Sequence, residues 1–365
     1  MSIRKPFSAS QLGAASGALL AGALACRPSG EPPAVVSHVA AAQAAAGTQW
    51  DGLFSRLCAA PAAVAAPTAA AAAATAATAA PATTAPSATA APAAAPTPPP
   101  GPPDRATWYA APVRVFDNLY YVGMTEYSAW AVTTSAGIIL VDTIFDYSVQ
   151  AEVVDGLRAL GLDPKTIVYA IVSHGHGDHS GGAKYLQDTF GTKIVLSAAD
   201  WDLVEQGSGS KPRRDVVATD GMALTLGDTT LQLYVTPGHT LGTISTVIPL
   251  KDHGSPHVAV SWGGTAFNWL SNRSGYITPE RPDAFWFQHY IASAARFSAI
   301  AAQAHADVVL SNHTIFDGSK TKLPLLRART AEQPNPYVVG ASGVHAYLTV
   351  AEECARAGLA RLPQP

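Results

Sequence analysis

The sequence predicts an α+β fold in which two β-sheets lie face to face with helices on the outside, and three observations lead there. Strand-like stretches dominate each half of residues 105–365, and segments of helical spacing flank them. A sheet and a helix must each bury an apolar face, and two facing sheets between helices satisfy that pattern. Finally, lone-pair donors gather where apolar strands end. "SHGHGDHSGG", Ser173 to Gly182, packs three histidines and one aspartate into six positions with only glycines between them.

Taken in chain order, "VRVFDNLYYVG" and "AWAVTTSAGIILVDT" read as strands, rich in Val, Ile and Tyr and turned at Gly137. "YSVQAEVVDGLRALGL" has helical spacing and a stop at Gly161. "TIVYAIVSH" is a short continuous apolar run, the mark of a strand buried on both faces. "DHSGGAKYLQDTF" starts a helix and "KIVLSAAD" gives another strand. "MALTLGDTTLQLYVTPGHT" reads as a hairpin about Gly227-Asp228, and "ISTVIPL" and "HVAVSWGG" as strands joined by a turn. "FQHYIASAARFSAIAAQA" is helical, "ADVVLSNH" a strand, and "GVHAYLTVAEECARAGLARL" a closing helix.

The segment ahead of this domain has a different composition. Arg4 and Lys5 precede an uncharged run up to Cys26, the order of a secretory signal, so residues 1–25 are expected to be a signal peptide of an exported, periplasmic protein. Cys26 stands where either a cleaved terminus or a lipid-acceptor cysteine is expected. Residues 26–60 form a short N-terminal segment whose amphipathic "GTQWDGLFSRLC" is expected to dock on the domain. Residues 61–104 are almost wholly Ala, Pro and Thr, a composition expected of a disordered linker. Cys58 and Cys354 remain; export permits a disulfide, but two buried free thiols are the expectation.

The formal net charge of −3, with no basic run, excludes nucleic acid and anionic lipid as natural partners. No protein partner is inferred, and the only expected membrane contact is through a lipid at Cys26.

Further polar residues leave strands as the cluster does: Asp142 after "GIILV", His239 in "TPGHT" and His313 in "SNH". His174 and His176, two apart on an extended loop, point to one side. Asp178 and His179 turn with the following helix. His174, His176 and His239 make one candidate site, and Asp178, His179 and His313 its neighbour. Three protein ligands plus water suit a catalytic zinc, and imidazole with carboxylate favours zinc over magnesium or calcium. His38, His253, His257, His289, His305 and His345 lack such a context and are read as structural or solvent-facing.

"SHGHGDHSGG", "TPGHT" and the late "SNH" resemble the metallo-β-lactamase superfamily over most of residues 113–355. The resemblance implies an αββα four-layer sandwich with two zinc ions (Zn2+) in a groove at the sheet edges. It also implies that Asp142 holds the ligand loop by hydrogen bonds. Many hydrolases of that superfamily place a metal-bridging Asp, and one subclass of lactamases a Cys, where this chain has "HVAVSWGGTAFNW". Lacking both, it is most similar to the third subclass of class B β-lactamases. The implied function is an exported zinc-dependent hydrolase that opens a β-lactam amide by attack of a metal-bound hydroxide, with Asp178 as ligand and hydroxide-orienting catalytic group. The alternatives are an esterase or lactonase of the same fold, and a non-catalytic zinc-binding surface protein. The loop "GMTEYSAWAV" brings bulky Tyr127 and Trp130 toward the groove, while Trp262, Phe267 and Trp269 are read as core or substrate wall.

Overall fold

A computed structural model describes residues 30–58, 101–209 and 211–363. The expected signal peptide and most of the expected linker lie outside the described residues. The chain divides into two compact units at Glu31 and Pro32. Only Gly30 and Glu31 of the first are described, and every described strand and helix belongs to the second.

Two sheets form. One runs β1 (Val113–Phe116), β2 (Leu119–Tyr121), β3 (Trp130–Thr134), β4 (Gly137–Val141), β5 (Ile167–Ile171), β6 (Lys193–Ser197) and β7 (Val216–Ala218) in spatial as well as chain order. Pairing is antiparallel through β4 and parallel from β4 to β7. The other has the order β12-β11-β10-β9-β8, built from β8 (Met222–Leu226), β9 (Thr229–Val235), β10 (Ile244–Asp252), β11 (Ser255–Trp262) and β12 (Val308–Ser311).

Alternation along the strands decides which side chain enters which layer. Ile139, Val141, Ile171 and Val195 join Leu231, Leu233, Ile248 and Leu310 between the sheets. Their chain neighbours Ile138, Leu140, Ala170, Ile194 and Leu196 face outward onto Val153, Leu157, Leu186 and Trp201 of the flanking helices. On the far side, Val247, Val260 and Trp262 meet Trp286, Tyr290 and Phe297 of helix Asp283–Gln303, with Tyr347 and Ala351 of the closing helix Gly340–Ala360. The result is the expected four layers, helix on sheet on sheet on helix.

Several short elements went unread in the sequence. After β6 the chain turns directly into helix Ala198–Gln206, so the "SAAD" part of the expected strand ends as a helix start capped by Ser197. The segment read as a helix after Tyr147 begins with a π-turn, Gln150–Val154. No helix among the described residues is long and apolar enough to cross a membrane.

The N-terminal segment docks as expected, in two helices, α1 (Pro33–Ala46) and α2 (Asp51–Leu57). Trp50, Leu53 and Leu57 are buried against the closing helix, and the Trp50 indole N–H donates to Gly343 O at 3.0 Å. The expectation of free thiols is corrected: Cys58 and Cys354 form a disulfide across a sequence separation of 296. The docking of α2 explains it, because it brings the two Cα atoms to 4.7 Å, within bridging range.

Candidate metal centre

The direction of the strands decides where the donors meet. β4 and β5 run parallel, as do β11 and β12, and β9 shares the direction of β11 through two antiparallel steps, so the C-terminal ends of each group open on one edge. Asp142 leaves β4 there with φ 65°, a left-handed backbone that a non-glycine residue adopts only under constraint. The constraint is visible. Its carboxylate accepts from the Ser173 backbone N–H at 2.7 Å, from Ser173 Oγ at 2.9 Å and from His179 Nδ1 at 3.0 Å. Thr143 adds two bonds to His179 O. Asp142 thus ties the end of β4 to the donor loop, the role that the resemblance implied.

His176 stands at the N-cap position of the short helix Gly177–Ser180, which carries Asp178 and His179. Ser180 Oγ donates back to His176 O at 2.9 Å, as suits a helix-start residue. The imidazoles then converge. His239 Nε2 lies 3.1 Å from His174 Nε2 and 3.2 Å from His176 Nδ1. His179 Nε2 lies 3.2 Å from both His313 Nε2 and Asp178 Oδ2, and that oxygen is 3.6 Å from His313 Nε2. His174, Asp178 and His179 also present ligand atoms within 4.8 Å of one another, so the two groups adjoin.

Tautomers show what such spacing requires. His174 Nδ1 donates to Gly263 O at 2.8 Å and His239 Nδ1 to Ala266 O at 2.6 Å, which leaves a bare lone pair on each Nε2. His176 points its Nε2 at the Tyr276 hydroxyl, 2.9 Å away, and turns Nδ1 inward. Two inward lone pairs with a third neutral imidazole nitrogen beside them form a ready cradle for a cation. A tetrahedral zinc with bonds of about 2.0–2.1 Å has ligand edges of about 3.3–3.4 Å, close to the observed spacing. The residues fit the metal.

Charge states agree. Burial, together with the neighbouring imidazoles, holds His174 and His239 well below the usual histidine range. Burial likewise lowers His176 to about 4 and His313 to about 3, so four of the imidazoles are neutral donors at pH 7. His179 differs: burial opposes its charge, but Asp178 and Asp142 outweigh that and raise it to about 10. Burial would raise Asp178, yet the charge on His179 holds it well below the carboxylate range. Without metal, a proton on His179 Nε2 occupies the second group.

Sequence reasoning missed four neighbours. Asn312 Nδ2 donates to Gly263 O at 2.8 Å, the same oxygen that orients His174. Asn268 Nδ2 reaches 3.4 Å from His239 Nε2. Tyr276, wedged against Trp286, backs His176, and Asp200 binds both donor loops from behind. Only Asn312 stood inside a quoted motif, "SNH", and its role was not read there, because each of the four acts through a partner at least 25 residues away. Of the bulky groove residues, Tyr127 does stand at the site, its ring 5.0 Å from His313 and 4.9 Å from Phe145. Trp130 does not: it is buried between the sheets with its indole N–H on Ser311 O. Trp262 and Trp269 are also core. His38 and His257 pair with Glu353 and Asp307, away from the cluster.

Comparison with known proteins gives a consistent picture. A family model described as the metallo-beta-lactamase superfamily matches residues 123–253. Hydroxyacylglutathione hydrolase of Acidiphilium cryptum (strain JF-5) is 28% identical over 117 residues, 32% of this chain and 42% of that protein. The hydrolase of the same name from Synechococcus sp. (strain ATCC 27144 / PCC 6301 / SAUG 1402/1) is 33% identical over 125 residues, 32% of this chain and 46% of its own length. The chain thus spans less than half the length of these curated relatives. Among solved structures, BJP-1, a subclass B3 metallo-beta-lactamase of Bradyrhizobium japonicum, superposes with a TM-score of 0.56 at 27% identity, over 66% of this chain and 90% of that one. Native FEZ-1 from Legionella gormanii superposes at 0.54 and 24% identity, over 66% and 91%, a likeness of fold alone.

Proposed function

The chain carries a metallo-β-lactamase superfamily domain, and from that premise we propose that it is an exported two-zinc hydrolase acting on a β-lactam amide. The observation that carries the reading is the pair of adjoining donor groups whose ligand atoms converge. His174, His176 and His239 would hold one ion, and Asp178, His179 and His313 the other. Zinc, when bound, supplies Lewis acidity toward a carbonyl oxygen and activates water at neutral pH. The chain's own residues do the rest. Asp178, about a quarter exposed, would orient the attacking water through its carboxylate while serving as a ligand of the second group. Asn268 Nδ2 is placed to donate to a carbonyl oxygen lying over the first group. Half-buried Tyr127 and Phe145 wall the second group with apolar surface.

The choice of β-lactam over other carbonyl substrates is supported by the stretch after β11. A Cβ at Gly263 would overlap Ile244 O, and one at Gly264 would overlap the His239 side chain. No acid built at either position can bridge the two groups, which separates this site from the branches that use one. An ester, thioester or lactone is the second reading, favoured by the names of the curated relatives and by the aromatic wall. Export is supported by the disulfide, a bond suited to an oxidising compartment. Chain cut before Cys26, found by mass spectrometry after expression in a Gram-negative host, is the expected outcome; an intact Met1 on active protein contradicts it.

A panel of a chromogenic cephalosporin, a carbapenem, lactones, thioesters and aryl esters tests the substrate reading. Turnover of the cephalosporin that is lost with a chelator and restored by zinc is expected. Zinc binding with no turnover on the whole panel would mark a binding protein instead.

A further inference from the structure

Asp200 lies in the first turn of helix Ala198–Gln206, 1% exposed. Its Oδ2 accepts from the Gly175 backbone N–H at 2.9 Å and from Thr240 Oγ1 at 2.8 Å, and its Oδ1 accepts from the Gly242 N–H at 3.0 Å. Gly175 stands between His174 and His176, and Thr240 follows His239. One carboxylate therefore grips both loops of the three-histidine group. The fit is close: a Cβ at Gly242 would lie 2.7 Å from Asp200 Oδ1, and one at Gly175 would lie 2.9 Å from Asp200 O.

The charge is as telling as the geometry. Every partner of the Asp200 carboxylate is a neutral donor, and no Lys, Arg or His among the described residues forms an ion pair with it. A buried anion with no cation is costly. Conversely, the first group offers a doubly charged ion three neutral imidazoles, because Asp178 belongs to the neighbouring set. Each half of this imbalance answers the other.

We infer that Asp200 is the positioning residue of the three-histidine centre, fixing its two loops in register and supplying the buried negative charge that its ligands lack. The inference rests on the metal reading above. Asparagine would keep the shape but turn a donor NH2 toward at least one of the three donors, so the loops must part.

Zinc titration against a chromophoric chelator, with no substrate present, tests it. In an Asp178→Asn background, where the second group is disabled, adding Asp200→Asn should weaken the remaining zinc by about 10–100-fold. In a His176→Ala background, where the first group is disabled, the same change should leave the remaining zinc unaltered. If Asp200→Asn does not fold, Thr240→Val, which removes one of the three bonds, should give a smaller loss confined to the first group. Unchanged affinity in the Asp178→Asn background, or equal loss in both, overturns the assignment. A wild-type chain that binds no zinc overturns this inference and the metal reading together, whereas zinc binding without hydrolysis contradicts only the hydrolase reading.

Discussion

His174 and His179 stand with ring centroids 4.3 Å apart, yet they would meet a metal from opposite protonation states. His174 is neutral through burial, while His179 is held charged by Asp178 and Asp142 with a pKa of about 10. A metal entering the second group must displace the His179 Nε2 proton, and rising pH makes that proton easier to lose. The apparent zinc affinity of that group should therefore rise about tenfold per pH unit between about pH 6 and 9. The first group should show little slope there, since His176 titrates near 4 and burial holds His174 and His239 well below the usual histidine range. Titrations across that range check this, and equal slopes at both groups contradict it. Asp178→Asn keeps the shape but loses the charge, and turnover should fall by on the order of 100-fold or more while the fold survives. Steady-state kinetics with a circular dichroism control reads that outcome.

At the scale of elements, the N-terminal helices matter more than their length suggests. α2 packs on Ile315, two residues beyond His313, and Trp50 lies edge-on to Tyr347 at 5.1 Å. Trp50→Ala should cost about 3–5 kcal/mol, the usual range for a large buried aromatic. Cys354→Ser should cost about 2–4 kcal/mol by freeing the unfolded chain. Denaturant unfolding measures both, and a disulfide variant as stable as wild type would mean that helix docking alone holds the segment. The long strands and helices were legible in the sequence because their apolar periodicity is strong. β9, for example, alternates buried and half-buried residues along most of its length. Helix Ala198–Gln206 was not, since β6 runs into it without a glycine or proline break. Trp130 misled because a bulky residue near a site loop looks like a groove residue, whereas pairing of β3 with β4 turns it inward.

For the molecule as a whole, the six donors were readable because they sit at strand ends in one spacing. Their supporting shell was not. Asp200, Tyr276 and Asn312 reach the donor loops through bonds to residues at least 25 positions away, which no local spacing announces. The four layers set the strand ends that carry all six donors at one groove, and the chemistry depends on that edge being loaded with metal. Chromogenic cephalosporin hydrolysis by metal-free protein, followed through stepwise addition of zinc with bound metal counted in parallel, tests that dependence head-on. No turnover is expected without metal, and full turnover as two zinc ions bind per chain. Undiminished hydrolysis by demonstrably metal-free protein would contradict it.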